Sequence, residues 1–345
     1  MKVRTITQQT LHYFARKHTA IPTAPLNDPA AWRPDTLGPF AEIFGPADIA
    51  EIEAGLAVAR SSGKALYELD AADLPLPTLL PRLEGWREQL AHGRGFVLLR
   101  GLPVARWSET DCERFFWVLG RRLGLPGAQN PAGDLLGHVR DEGFDHHQEV
   151  RGYRTRAHID FHCDAADVVG LFCLQPAQSG GTSRIASSVS VFNALVQERP
   201  DLAAALFAPF SLDTKGEGGL RHYAVPPCRY SQGKLRTFYH ADYFRSVARH
   251  ADAPALRGEQ LEALHRYDEL AASLSLSMEL RAGDIQLLNN HTQIHARDGY
   301  MDGPGKRHLL RLWLSLERGG GGSWPAWLRL VTRLGWQRWV QRRTP

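Results

Sequence analysis

The apolar residues of this chain arrive in short bursts, each too brief for a helix and closed off by turn-forming residues. Gly95-Phe96-Val97-Leu98-Leu99-Arg100-Gly101 is one and Val168-Val169-Gly170-Leu171-Phe172-Cys173-Leu174 another, while Ser277 to Leu280, Ile285 to Leu288 and His308 to Leu316 close the series. Runs of this length between glycines or prolines read as buried strands. Helical spacing appears among them, at Pro81 to Ala91, behind the capping residues Ser108-Glu109-Thr110-Asp111, near Val191 to Glu198 and Ala203 to Phe207, and over Gln260 to Leu274. The two kinds of element do not alternate regularly, and neither G-x-G-x-x-G nor G-x-x-x-x-G-K-[ST] occurs. Parallel nucleotide-binding sheets are thereby disfavoured. The expectation is a mainly β fold with flanking helices, its strands closed into a double-stranded β-helix, or jelly roll.

Three stretches follow from composition. Residues 1–80 are punctuated by Pro22, Pro25, Pro29, Pro34, Pro39 and Pro46, which breaks any long element and suggests a helical and irregular extension packed on the core. Residues 81–318 carry the strand series. Residues 319–345 begin with Gly319-Gly320-Gly321-Gly322-Ser323, a flexible joint, and continue as a tail with four tryptophans and five arginines. Tryptophans and arginines interleave in that tail, so docking on protein or on a second copy of the chain is favoured over contact with a membrane surface.

A net charge of +4 would hint at a basic surface, but Arg318, Arg329, Arg333, Arg338, Arg342 and Arg343 lie at the end of the chain with no acid among them. The body is nearly neutral, and nucleic acid is not an expected partner. No apolar run has the length of a membrane span or the form of an export signal, and the four cysteines include no C-x-x-C pair. A cytoplasmic protein with reduced thiols is the expectation.

The densest polar cluster is His158-Ile159-Asp160-Phe161-His162-Cys163-Asp164, in which two H-x-D patterns follow each other. On a strand, residues two apart share a face, so all four side chains have the spacing to point one way. An imidazole beside a carboxylate is two thirds of the 2-His-1-carboxylate triad of non-haem Fe(II) oxygenases. A third ligand is available far downstream, at His291 or His295. Beyond it, Arg307-His308-Leu309-Leu310-Arg311-Leu312-Trp313 sets arginines into an apolar strand, costly unless each meets an anion, and guanidinium grips carboxylates through paired hydrogen bonds. The pattern predicts an Fe(II) site with a carboxylate clamp next to it.

Phe161-His162-Cys163-Asp164-Ala165-Ala166-Asp167, then Ser179-Gly180-Gly181-Thr182-Ser183, then His295 and Arg311, resembles the taurine dioxygenase (TauD/TfdA-like) family of Fe(II)/2-oxoglutarate oxygenases, in the family's order and over roughly Gly95 to Leu316. The resemblance implies His162, Asp164 and His295 as metal ligands, with His158, Asp160 and His291 as decoys. It implies Arg311 as the arginine on the distal carboxylate of 2-oxoglutarate, with Ser183 and its neighbour Thr182 supplying a hydroxyl and Arg307 in support. It also implies the use of O2 and the release of succinate and CO2 as a small molecule is hydroxylated, the substrate being a carboxylate or amino-acid-like compound. The family's W-D-N-R stretch is replaced by Leu288, Asn289, Asn290 and His291. Asn130 and Arg140 fall where the resemblance puts the substrate-facing wall. The competing readings are a desaturase or cyclase using the same iron, and a metal-binding jelly roll without turnover.

Overall fold

A computed structural model describes residues 3–143, 152–215 and 220–316. The Gly-rich joint and the Trp/Arg tail, with the docking and membrane expectations attached to them, lie outside the described residues. Two sheets make the body. The larger runs in the order Ala41–Ile43, Phe96–Arg100, Ile285–Asn289, Val168–Gln175, His308–Ser315 and Leu125–Gly127, with Leu136–Val139 also pairing with His308–Ser315. The smaller runs Leu276–Met278, Ser183–Ser187, Gln293–Arg297 and Ile159–His162. This is the mainly β jelly roll expected, with helices on its outer faces.

The strands are apolar on both faces because both faces are covered. Phe96, Leu98, Val169, Leu288 and Trp313 of the large sheet meet Ile185 and Met278 of the small one, filling the space between. The alternate residues Val97, Leu99, Phe172, Leu287, Leu310, Leu312 and Leu314 face outward onto the helices Leu80–Ala91 and Glu109–Leu123. The second of these is capped by the Ser108 hydroxyl, which accepts from the Asp111 amide. Ala186, Ile294 and Ala296, on the outer face of the small sheet, pack against the helices Ser188–Glu198 and Glu259–Ser273.

The first eighty residues are tied into this body. Ala41–Ile43 adds a parallel edge strand to Phe96–Arg100, and Ile52 and Leu56 of the helix Pro46–Ser61 join the outer core. The helix Ile6–Phe14 is held by Asp167, a buried carboxylate that meets His12 Nε2 at 2.9 Å, Arg16 at 2.7 Å and His291 Nε2 at 2.8 Å, and accepts from the Leu316 amide at 3.1 Å. Among the described residues no helix is long and apolar enough to cross a membrane.

Candidate active site

The small sheet positions the histidines. His295 pairs across from His162, but two residues further along Arg297 pairs with Ile159, so the strand Ile159–His162 holds one residue more than its partner over this interval. Such a bulge flips the alternation of faces. Phe161 and Ala296 belong to the outer core, which leaves His162 and His295 pointing inward, their ring centroids 4.1 Å apart. His158 lies beyond the slip and Asp160 within it. They pair with each other at 3.2 Å with about half of each side chain in solvent (54% and 47%). The sequence expectation that all four residues share a face therefore fails at the bulge.

Asp164 follows the strand and turns back toward the pair. Its Oδ2 lies 3.9 Å from His295 Nε2, and its Oδ1 lies 3.9 Å from Arg311 Nη1. The loop is pinned because Asn290 Oδ1 accepts from the Asp164 amide at 3.1 Å while Asn290 Nδ2 donates to the Ala166 carbonyl. His162 Nδ1 donates to the Asp160 carbonyl at 2.9 Å, which fixes the tautomer and leaves the Nε2 lone pair for another partner. His291, the other downstream candidate, is committed to Asp167 and stacks on Tyr13 with ring centroids 4.5 Å apart.

The protonation states suit a cation. Burial pushes His295 down to about 3 and lowers His162 as well, so both rings are neutral at ordinary pH. Burial alone would raise Asp164, yet Arg311, then His295 and His162, hold its carboxyl below the ordinary value. Two neutral imidazoles and one carboxylate form the donor set of a facial Fe(II) triad. Asp164 Oδ2 and His295 Nδ1 are moreover buried with no hydrogen-bond partner among the described residues. A buried carboxylate oxygen left without a donor is costly in a folded protein, and a metal ion removes that cost. The residues fit the group.

The two arginines are placed differently. Arg311 donates from Nε to Gln129 Oε1 at 2.7 Å and stands over the Trp313 ring at 5.4 Å, beside Asp164. Gln129 is buried and also donates to the Arg311 and Leu135 carbonyls, at 2.8 and 3.0 Å, so it holds the guanidinium in register. Nothing in the local sequence marks Gln129 for this part, since its partner is 182 residues away. Arg307, 5% exposed, lines a cavity with Gly181, Thr182, Cys173 and Leu309, and its Nη1 has no hydrogen-bond partner among the described residues. Gly180 and Gly181 both take positive φ, and a Cβ on Gly180 would collide with the Gly299 carbonyl, so the turn that delivers Thr182 needs glycine there.

Ser183 faces away from that cavity and hydrogen-bonds Gln286 at 3.2 Å. Of the proposed substrate wall, Asn130 donates to Asp134 at 2.7 Å within its own turn, and Arg140 is exposed just beyond the strand Leu136–Val139.

Comparison with known proteins follows the same line. The sequence pattern of the taurine catabolism dioxygenase TauD, TfdA family matches residues 60–313. FR-33289 synthase of Streptomyces rubellomurinus is 33% identical over 273 residues, covering 74% of this chain and 79% of its own length. The taurine hydroxylase-like protein SAT17 of Stachybotrys chartarum is 31% identical over 321 residues, covering 86% and 81%. Among solved structures, an asparagine oxygenase in complex with Fe(II), 2S,3S-3-hydroxyasparagine and succinate superposes with a TM-score of 0.67 at 17% identity, covering 81% of this chain and 94% of that one.

Proposed function

We propose, on the premise that this chain belongs to the TauD, TfdA dioxygenase family, that it hydroxylates a small carboxylate or amino-acid-like molecule at a centre formed by His162, Asp164 and His295. Membership makes it an Fe(II)- and 2-oxoglutarate-dependent dioxygenase that consumes O2 and hydroxylates a small molecule. When bound, the iron supplies O2 activation coupled to the oxidative decarboxylation of 2-oxoglutarate. The observation that carries the residue assignment is the convergence of His162, His295 and Asp164 on one inward-facing point, with two buried atoms there lacking partners.

The chain's own groups then have separate tasks. His162 and His295 present neutral nitrogen donors, and Asp164 presents an anion that the adjacent Arg311 keeps ionised. Arg307 and Thr182, rather than Arg311 and Ser183, are assigned to the distal carboxylate of 2-oxoglutarate. Their cavity leaves a guanidinium nitrogen unsatisfied, while Arg311 is engaged by Gln129 and Ser183 by Gln286. Three buried guanidiniums stand close by, Arg297 on the strand of His295, Arg311 on the strand His308–Ser315 and Arg307 directly before that strand. That excess of positive charge suits a site taking two acids, 2-oxoglutarate and an anionic substrate. A cytoplasmic setting is supported by four buried cysteines, all free.

The test is a screen of amino acids and small carboxylates against the full chain loaded anaerobically with Fe(II), with succinate as the readout. At least one compound should stimulate succinate formation and leave as a product heavier by one oxygen. Stimulated succinate that persists in His162→Ala would refute the assigned centre.

A further inference from the structure

A second group of donors lies on the opposite face of the strand that carries Arg311. The helix Glu109–Leu123 sets Glu109 and Glu113 one turn apart, on the face turned toward the strands Leu136–Val139 and His308–Ser315. These strands contribute His138 and His308, with His138 paired opposite Leu310. His138 Nδ1 lies 2.9 Å from His308 Nε2, with the ring centroids 5.1 Å apart. Glu109 reaches both, at 3.7 Å from His138 Nδ1 and 3.9 Å from His308 Nδ1. One ligand atom from each of Glu109, His138 and His308 lies within 4.8 Å of the other two. The remaining nitrogen of His138, Nε2, stands 3.6 Å from Glu113.

A hydrogen-bonded histidine pair flanked by acids accounts for part of this geometry, but it leaves two facts without a purpose. Nδ1 of His138 faces a nitrogen and a carboxylate together, whereas a single shared proton satisfies one of them. Glu113 stands 3.6 Å from the far nitrogen, on the side from which a carboxylate drawn into hydrogen-bond distance would orient a metal-bound imidazole. Tetrahedral zinc with bonds of about 2.0–2.1 Å holds two nitrogens about 3.3 Å apart, so an ion would part these nitrogens by a few tenths of an ångström and turn the two rings, which face each other head-on, toward a common point.

We propose that Glu109, His138 and His308 form a divalent transition-metal site, best matched by Zn2+, with Glu113 orienting His138. The site is separate from the iron centre, since His308 and Arg311 occupy opposite faces of their strand. Three protein ligands with an exposed Glu109 leave room for water, and the ion ties the start of the helix to two strands of the large sheet.

The test uses the full-length chain carrying His162→Ala and Asp164→Ala, which removes the iron centre as a competing sink, titrated with Zn2+ by equilibrium dialysis. One equivalent should bind and raise the melting temperature. Adding His308→Ala should abolish both effects, and adding Glu109→Gln, a change on the surface that leaves packing intact, should weaken binding about tenfold or more. Co2+ in place of Zn2+ should give visible absorption that disappears with His308→Ala. Absence of saturable zinc binding in the starting variant, or binding indifferent to both His308→Ala and Glu109→Gln, would overturn the proposal.

Discussion

Four positions separate His158 from His162, and the register slip between them sends one into solvent and the other between the sheets. The residue types of the centre were legible because H-x-D and a late histidine are unusual company. The choice between the two H-x-D pairs was not legible in local spacing, since a bulge is set by the partner strand. His162→Ala, Asp164→Ala and His295→Ala should each abolish iron uptake and succinate formation, while His158→Ala keeps both; metal analysis of the purified variants decides it. The arginines were legible as a pair but not in their division of labour, which depends on Gln129 and on the cavity at Thr182. Arg307→Leu should raise the half-saturating 2-oxoglutarate concentration by roughly 30-fold or more, corresponding to about 2 kcal/mol for a lost buried charge pair. Arg311→Leu should act mainly on substrate-stimulated turnover. A larger shift in 2-oxoglutarate requirement for Arg311→Leu would return the clamp to that residue.

Elements with glycine or proline at their edges could be read directly. Phe96–Arg100, Val168–Gln175 and the helix Glu259–Ser273 stand within a residue or two of their expected bounds. Ala41–Ile43, Leu125–Gly127 and Leu136–Val139 had no apolar run to mark them. Strands of three or four residues show too little alternation to recognise, and these exist because a neighbouring strand offers them hydrogen bonds. The Gly180-Gly181 turn is the connection on which the cavity depends. Gly180→Ala forces a side chain into a positive-φ position against a backbone carbonyl that has nowhere to go. It should cost more than about 1 kcal/mol in urea unfolding and weaken 2-oxoglutarate binding through displaced Thr182. A variant with unaltered midpoint and unaltered 2-oxoglutarate dependence would mean that the turn relaxes elsewhere.

On the scale of the whole molecule, Asp167 joins the first helix, the loop after the strand Ile159–His162 and the end of the last described strand. Its partner His291 is pushed by burial down to about 3 from an ordinary 6.5, whereas hydrogen bonds from His12 and His291 and the charge of Arg16 outweigh burial to hold Asp167 well below the carboxylate range. Between pH 6.5 and about 3 the unfolded chain therefore takes up a proton on His291 that the folded chain refuses, so stability falls as the pH drops through that window. The slope is at most about 1.4 kcal/mol per pH unit from this one group. Urea midpoints at pH 7 and pH 5 should show the fall, and His291→Asn should flatten it; an identical slope in the variant would exclude His291 as a source. The strand His308–Ser315 comes last in the described sequence and yet lies inside the large sheet, between Val168–Gln175 on one side and Leu125–Gly127 and Leu136–Val139 on the other. A growing chain on the ribosome thus holds His162 and Asp164 long before it holds His295 and, directly after it, the strand that closes the sheet beside them. Until translation passes residue 315 the sheet lacks the strand that joins Leu125–Gly127 and Leu136–Val139 to Val168–Gln175, and distant pairings of this kind form slowly. Loading with iron and 2-oxoglutarate is accordingly expected only once residue 315 has been made, because until then the chain encloses no seat for the metal.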